Sequence, residues 1–229
     1  MTKPQLAKRN YLLLMVMLYM AAFISCDVLI KRMIGFNNLY TSGAIVGFPL
    51  TFTIADIVAE VYGYQIARNM LWFAFAGDFL FDMLATLTIH LPYPSYWHSA
   101  SDFKVVLSGL PTLFLISFLT APVSDFFNIY VLVKTKILFK GRYFILRSII
   151  SSALGELMDT IIIGTFLTFL YHWQGHEWVI IGVIYIFKII YALISSIPAA
   201  ICAAALKKHE GIDVYDHTTD FNPFRLKIV

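Results

Sequence analysis

Three pairs of acids interrupt the most apolar stretches of this 229-residue chain: Asp56 with Glu60, Asp78 with Asp82, and Glu156 with Asp159. At i,i+3 or i,i+4 spacing, both members of a pair lie on one face of a helix. Asp27 and Asp125 bring the acids in such stretches to eight, and Lys188 is a base among them. Carboxylates presented this way suit a few kinds of chemistry. They accept hydrogen bonds from a donor-rich guest, often two at once. They serve proton or ion passage, or, as paired aspartates, cleave a bond inside a membrane.

The elements that must carry these groups are set by composition. The chain is 59% hydrophobic and 14% charged, with a mean hydropathy of +0.76. A soluble domain with one core cannot hide that much apolar surface, and runs of 18 or more apolar residues read as membrane-spanning helices. Such runs fall at 11–30, 44–62, 67–90, 105–133, 143–172 and 178–206. The expected architecture is an all-α membrane protein: one six-helix domain over residues 1–208 and a short polar tail over 209–229. The first run, about 20 residues long, exceeds a usual signal-peptide core and is read as a retained helix. Pro111 and Pro122 are expected inside the fourth span, where neighbouring helices can re-satisfy the freed backbone. "SYWHSASDF", residues 95–103, reads as an interfacial loop.

Direction follows from the basic residues in the connections. One side collects Lys3, Lys8, Arg9, Arg68, Lys134, Lys136, Lys140, Arg142, Lys207, Lys208, Arg225 and Lys227; the other has Lys31, Arg32 and Lys104. Both termini are therefore expected on the cytoplasmic side of the membrane. Trp97, Trp173 and Trp178 fall at the opposite boundary, as an aromatic belt would. The net charge of +3 gives no reason to expect a nucleic-acid partner. No GxxxxGK[ST] is present, so ATP hydrolysis by that route is excluded. Cys26 and Cys202 read as packing residues, and no cofactor is expected.

Each buried charge at a helix centre costs roughly 2.5–3.5 kcal/mol, so the paired faces must turn towards the bundle interior or a wet cavity. Counting about 1.5 Å per residue from the outer boundary places Asp56 roughly 18 Å deep, Asp159 roughly 20 Å, Glu156 roughly 24 Å and Lys188 roughly 15 Å. That depth predicts a polar cluster near the midplane. Other charges have local explanations. Asp27 and Lys31 are spaced for an interfacial ion pair. Asp78 and Asp82 could rest on Ser or Thr of other helices. Asp125, with Asn128 close behind, and Arg147 sit where snorkelling serves. His172, His176 and Glu177 have metal-like spacing, but Gly175 and their loop position argue against a helical metal site. Ser148, Ser151, Ser152, Ala153, Gly155 and Gly164 allow close helix approach and offer hydroxyls, as do Ser195 and Ser196 with their alanine neighbours.

"GFPLTFTIADIVAEVYGYQIAR" (47–68), "RSIISSALGELMDTIIIGTFL" (147–167) and "YIFKIIYALISSIPAAI" (185–201) resemble the queuosine precursor transporters, also called the vitamin uptake transporter family. Phe48, Pro49, Asp56, Tyr62, Gly63, Ala67, Arg68, Ser151, Gly155, Asp159 and Thr160 carry the specific blocks, with Lys188 and Pro198 in place. The resemblance implies a six-helix fold like the substrate-binding S components of energy-coupling-factor transporters. It also implies uptake, without catalysis, of a 7-deazaguanine such as preQ0 or preQ1, or of queuine. The expected substrate-binding residues are Asp56, Glu156, Asp159 and Lys188, with Phe52 or Tyr185 stacking on the base and Glu60 and Asn128 as further candidates. An ATPase partner and self-association stay open, as do a membrane-embedded enzyme using paired acids and an ion channel.

Overall fold

Hydrocarbon offers the peptide group no hydrogen-bond partner, so each apolar segment must close its own bonds as a helix. The computed structural model describes residues 10–36, 39–171 and 177–225. Its helices are α1 (Asn10–Leu29), α2 (Phe48–Tyr62), α3 (Tyr64–His90), α4 (Ala100–Leu107), α5 (Leu110–Leu138), α6 (Phe144–Tyr171) and α7 (Glu177–Glu210). Six segments among the described residues are long and apolar enough to cross a membrane: Tyr11–Leu29, Gly43–Tyr62, Tyr64–His90, Ala100–Leu138, Phe144–Phe166 and Ile181–Glu210. The fold is the expected all-α, six-span membrane architecture. His172, Trp173 and His176 lie outside the described residues, as do the side chain of Glu177 and the basic residues Lys3, Lys8, Arg9 and Lys227.

α2 is the axial helix. It touches α1, α3, α5, α6 and α7, and every residue from Thr51 to Tyr62 is buried. Pro49 stands in its first turn, where a missing N–H costs nothing. It stops at Gly63, whose φ of 86° lies in the region side chains avoid, and α3 begins at the next residue. That junction starts the third span three residues before the expected position. Around α2 the core is aromatic: Tyr19 stacks on Phe23, Phe23 tilts against Phe75, and Trp72 meets Phe75 edge-on.

The connections differ from expectation. Met33–Phe36 and Leu39–Ser42 pair as an antiparallel hairpin, β1 and β2, with Met33 opposite Ser42. Pro111 stands in the first turn of α5 instead of interrupting it, and only Pro122 lies inside. Within the expected loop 95–103, the chain already turns helical at Ala100, forming α4.

The segment after α7 folds back over the end opposite the hairpin, called here the tail end. Val214 N donates to Val61 O at 3.2 Å, and Tyr64 N donates to Asp216 Oδ2 at 3.0 Å. Arg68, buried, donates to the carbonyls of Asp220 and Asn222 at 3.2 and 2.7 Å. Trp72 Nε1 donates to Pro223 O at 2.7 Å. These bonds satisfy backbone groups that the α2–α3 junction and the tail would otherwise leave bare.

Candidate functional site

Small side chains on α6 bring it against α2 and α5. A Cβ on Gly155 would stand 2.8 Å from Phe52 and 2.9 Å from the Asn128 Cβ, so only glycine permits this approach. Asp56 on α2 sits at that seam with no exposure at all. Its Oδ1 accepts from Asn128 Nδ2 at 2.8 Å; its Oδ2 accepts from Ser148 Oγ at 2.5 Å and Ser152 Oγ at 3.2 Å. Three donors from two helices stand where a cation would otherwise be needed.

Toward the hairpin end, Glu156 and Asp159 on α6 share Lys188 of α7. Lys188 Nζ lies 2.7 Å from Glu156 Oε2 and 2.7 Å from Asp159 Oδ2. The ammonium also lies 4.6 Å from the centre of the Phe48 ring, a cation–π contact from the start of α2. Asp125 on α5 is buried, accepts from Tyr19 OH at 3.1 Å, and is within electrostatic reach of Asp159 and Glu156. Three buried carboxylates, Glu156, Asp159 and Asp125, thus lie within reach of one lysine. Acceptor capacity is left over: Asp125 Oδ1, Asn128 Oδ1 and Asp159 Oδ1 have no hydrogen-bond partner, nor does Thr160 Oγ1.

Glu60 lies elsewhere. One turn beyond Asp56, it receives Arg147 through two bonds, Nη1 to Oε2 at 2.9 Å and Nη2 to Oε1 at 3.1 Å. Lys207 Nζ reaches Oε1 at 2.6 Å, and Lys136 Nζ stands 3.9 Å away. Lys136 donates in turn to Glu60 O, Asp213 Oδ1 and Val214 O, at 2.6, 2.6 and 2.7 Å. Burial works against the charge on Asp213, yet hydrogen bonds from Lys136 and Lys207 hold its carboxyl below the ordinary value.

The structure therefore joins Asp56 with Asn128, joins Glu156 and Asp159 with Lys188, and sets Glu60 in a separate network at the tail end. Phe52 is buried beside Phe48 and Gly155. Tyr185, half-buried, donates its hydroxyl to Ala153 O at 3.1 Å. Arg147 does not snorkel: it is fully buried and bound to Glu60, because the α2 carboxylate is nearer than water. Asp125 does not snorkel either. Among the described residues Asp27 forms no ion pair with Lys31; it lies beside Asp78 and Asp82, and no Ser or Thr there bonds to either of these. Tyr19 and Asp213 had no signal in the sequence, whereas Ser148 and Ser152 were visible as hydroxyls spaced one turn apart.

The polar groups of the middle close on one another. Two hollows among the described residues lie away from them, one lined by Trp72, Phe75, Phe79, Phe114 and Phe118, the other by Leu91, Tyr93, Trp97 and Lys104 near the hairpin end. A guest at Asp56 or Lys188 would meet the hydrogen bonds and ion pairs already made there.

A family model described as "Putative vitamin uptake transporter" matches residues 42–203. The matched span runs from the end of the hairpin into the last turns of α7 and contains every residue of the Asp56 and Lys188 groups except Tyr19. Among curated proteins and solved structures, nothing matches the chain.

Proposed function

Because the chain belongs to the vitamin uptake transporter family, we propose that its cargo is a 7-deazaguanine precursor of queuosine, bound among Asp56, Glu156, Asp159 and Lys188. The observation that supports this reading most is the imbalance around Lys188, where one ammonium answers Glu156 and Asp159 with buried Asp125 in reach, and several acceptors lack donors. A 7-deazaguanine supplies what is missing. Its N1–H and exocyclic NH2 present two parallel donors to one carboxylate. Its O6 accepts from an ammonium or hydroxyl, and its flat face suits Phe52 or Tyr185. The aminomethyl cation of preQ1 would meet a second acid.

Lys188 is the element that gives way. As the base seats itself on Asp159, the ammonium stays on Glu156 and turns one donor to O6, so no charge is left bare. The tail end, with its lysines and arginines, faces the cytoplasm in this reading. Uptake then runs from the hairpin end past Lys188 and Asp56 to the Glu60 network, across a bacterial inner membrane.

The test is complementation of a bacterium that neither makes nor imports queuosine precursors. Each precursor is fed in turn and queuosine is measured in tRNA. Restoration by preQ0, preQ1 or queuine supports the proposal; no restoration by any of them, with the protein present in the membrane, rejects it. Repeating the assay in cells lacking energy-coupling-factor ATPases separates a stand-alone carrier from a subunit of an ATP-driven one. Recovery of chemically intact cargo from the purified protein argues against an enzyme.

A further inference from the structure

A third group of acids takes no part in the cargo reading. Asp27 near the end of α1 and Asp78 and Asp82 on α3 bring carboxylate oxygens within 4.8 Å of one another. All three are buried, at 9%, 2% and 4% exposure. None of them has a Lys, Arg or His partner among the ion pairs of the described residues. Lys31, one turn beyond Asp27, extends its ammonium against Gly109 instead.

The second observation concerns Asp82. Its carboxylate is aimed into the group, yet neither of its oxygens has a hydrogen-bond partner. Asp27 Oδ2 and Asp78 Oδ1 are also left over. A carboxylate taken out of water with nothing to bond costs several kcal/mol, and such a group calls for a positive ligand.

We propose that Asp27, Asp78 and Asp82 form a binding site for one hard metal cation, with the Asp82 carboxylate as its principal ligand. The donor set fixes the class. Only carboxylate oxygens converge, without His or Cys, which suits sodium or calcium and not zinc or copper. The spacing fits as well. An ion placed about 2.3–2.6 Å from each oxygen, the calcium range, bridges oxygens as far apart as these. The site borders the cargo region, since Cys26 is within electrostatic reach of Asp27 and Asp78 and also of Lys188 and Glu156. The proposal stands on its own geometry and needs no particular cargo.

The full chain, purified into lipid nanodiscs at mildly alkaline pH, is titrated with radioactive sodium in one arm and radioactive calcium in the other. Saturable binding near one ion per chain is expected in one arm, and the arm that responds identifies the ion as monovalent or divalent. Asp82→Asn should weaken that binding tenfold or more while the protein still elutes as a single species. Should Asp82→Asn fail to fold, Asp82→Glu keeps the charge, moves the oxygens, and should still shift the affinity at least threefold. Asp78→Asn should weaken binding as well. No saturable binding in either arm, or equal binding by the wild type and all folded variants, overturns the site and leaves the three acids to protons.

Discussion

Glu60, one turn of α2 from Asp56, and Lys188 of α7 are both buried ionic centres, yet they are balanced in opposite senses. Around Glu60 the acids Glu60 and Asp213 meet the bases Arg147, Lys136 and Lys207, and the Glu60 carboxylate takes a two-bond guanidinium contact besides. Around Lys188 a single base meets Glu156 and Asp159, with Asp125 in reach and acceptors to spare. A saturated network has nothing to offer a guest and holds helices together. An unsaturated one is costly at rest, and that cost is recovered when donors arrive. The difference separates the end that fixes the bundle from the middle proposed to bind.

The sharpest way to break this contrast is to truncate one member on each side. Arg147→Ala removes two charge-assisted bonds from Glu60, each worth about 1.5–3 kcal/mol, although Lys207 stays at 2.6 Å to offset the carboxylate. The expected result is a large drop in folded protein, read as the monodisperse fraction extracted from membranes. Asp159→Ala should behave differently. Lys188 keeps Glu156 at 2.7 Å, so one base still meets one acid and the fold survives. Uptake should fall by more than about tenfold, since removing one buried ionic contact to a ligand costs 2–5 kcal/mol. Normal folding of the first variant, or unchanged uptake by the second, would erase the distinction.

The two regions were unequally legible in the sequence. Spacing within a helix shows which residues share a face, so Asp56 with Glu60, Glu156 with Asp159 and Lys188 at a similar depth could be read directly. How one helix is rotated against another depends on packing across the bundle, and there spacing is silent. Arg147 finds Glu60 across 87 positions, and nothing local announces it. The same limit explains Asp27: the i,i+4 rule offered Lys31, but α1 packs against α3 and brings Asp78 and Asp82 closer. The tail was readable as polar, not as a strap, because its bonds are mostly from its backbone to Arg68, Trp72 and the α2–α3 junction. The span count survived since hydrocarbon thickness fixes it, and the hairpin was missed because four-residue strands carry almost no periodicity.

A smaller effect probes the seam between the two centres. Gly155→Ala puts a Cβ against Phe52, the Asn128 Cβ and the Ser124 carbonyl, at 2.8, 2.9 and 3.1 Å. Neither the carbonyl nor the Asn128 Cβ is the free end of a flexible chain, so α6 must move outward. Overpacking of this kind costs about 1–3 kcal/mol. The shift should loosen the Ser148 and Ser152 bonds to Asp56 before it reaches Arg147. A lowered unfolding temperature with reduced cargo affinity is expected. A lowered unfolding temperature with cargo affinity intact would place Asp56 outside the binding function.

The weakest expected effect lies at the rim of the saturated network. Asp213 joins Lys136 at 2.6 Å and Lys207 at 2.9 Å, but its side chain keeps 41% exposure, so solvent screens much of the attraction. Its folded pKa is lowered, which fixes the sign. The stabilisation is complete above the unfolded value of about 3.9 and is lost as pH falls through the lowered folded value. Asp213→Asn should therefore cost less than about 1 kcal/mol at neutral pH. The gap in unfolding temperature between wild type and variant should stay constant through the neutral range and close below about pH 4. A gap that persists in acid would mean that the tail is held by the backbone bonds of Val214 and by Arg68, with Asp213 contributing shape and not charge. A gap of several kcal/mol would mean that Lys136 and Lys207 depend on Asp213 to stay charged beside one another, and the network would then owe its balance to the tail as much as to Glu60.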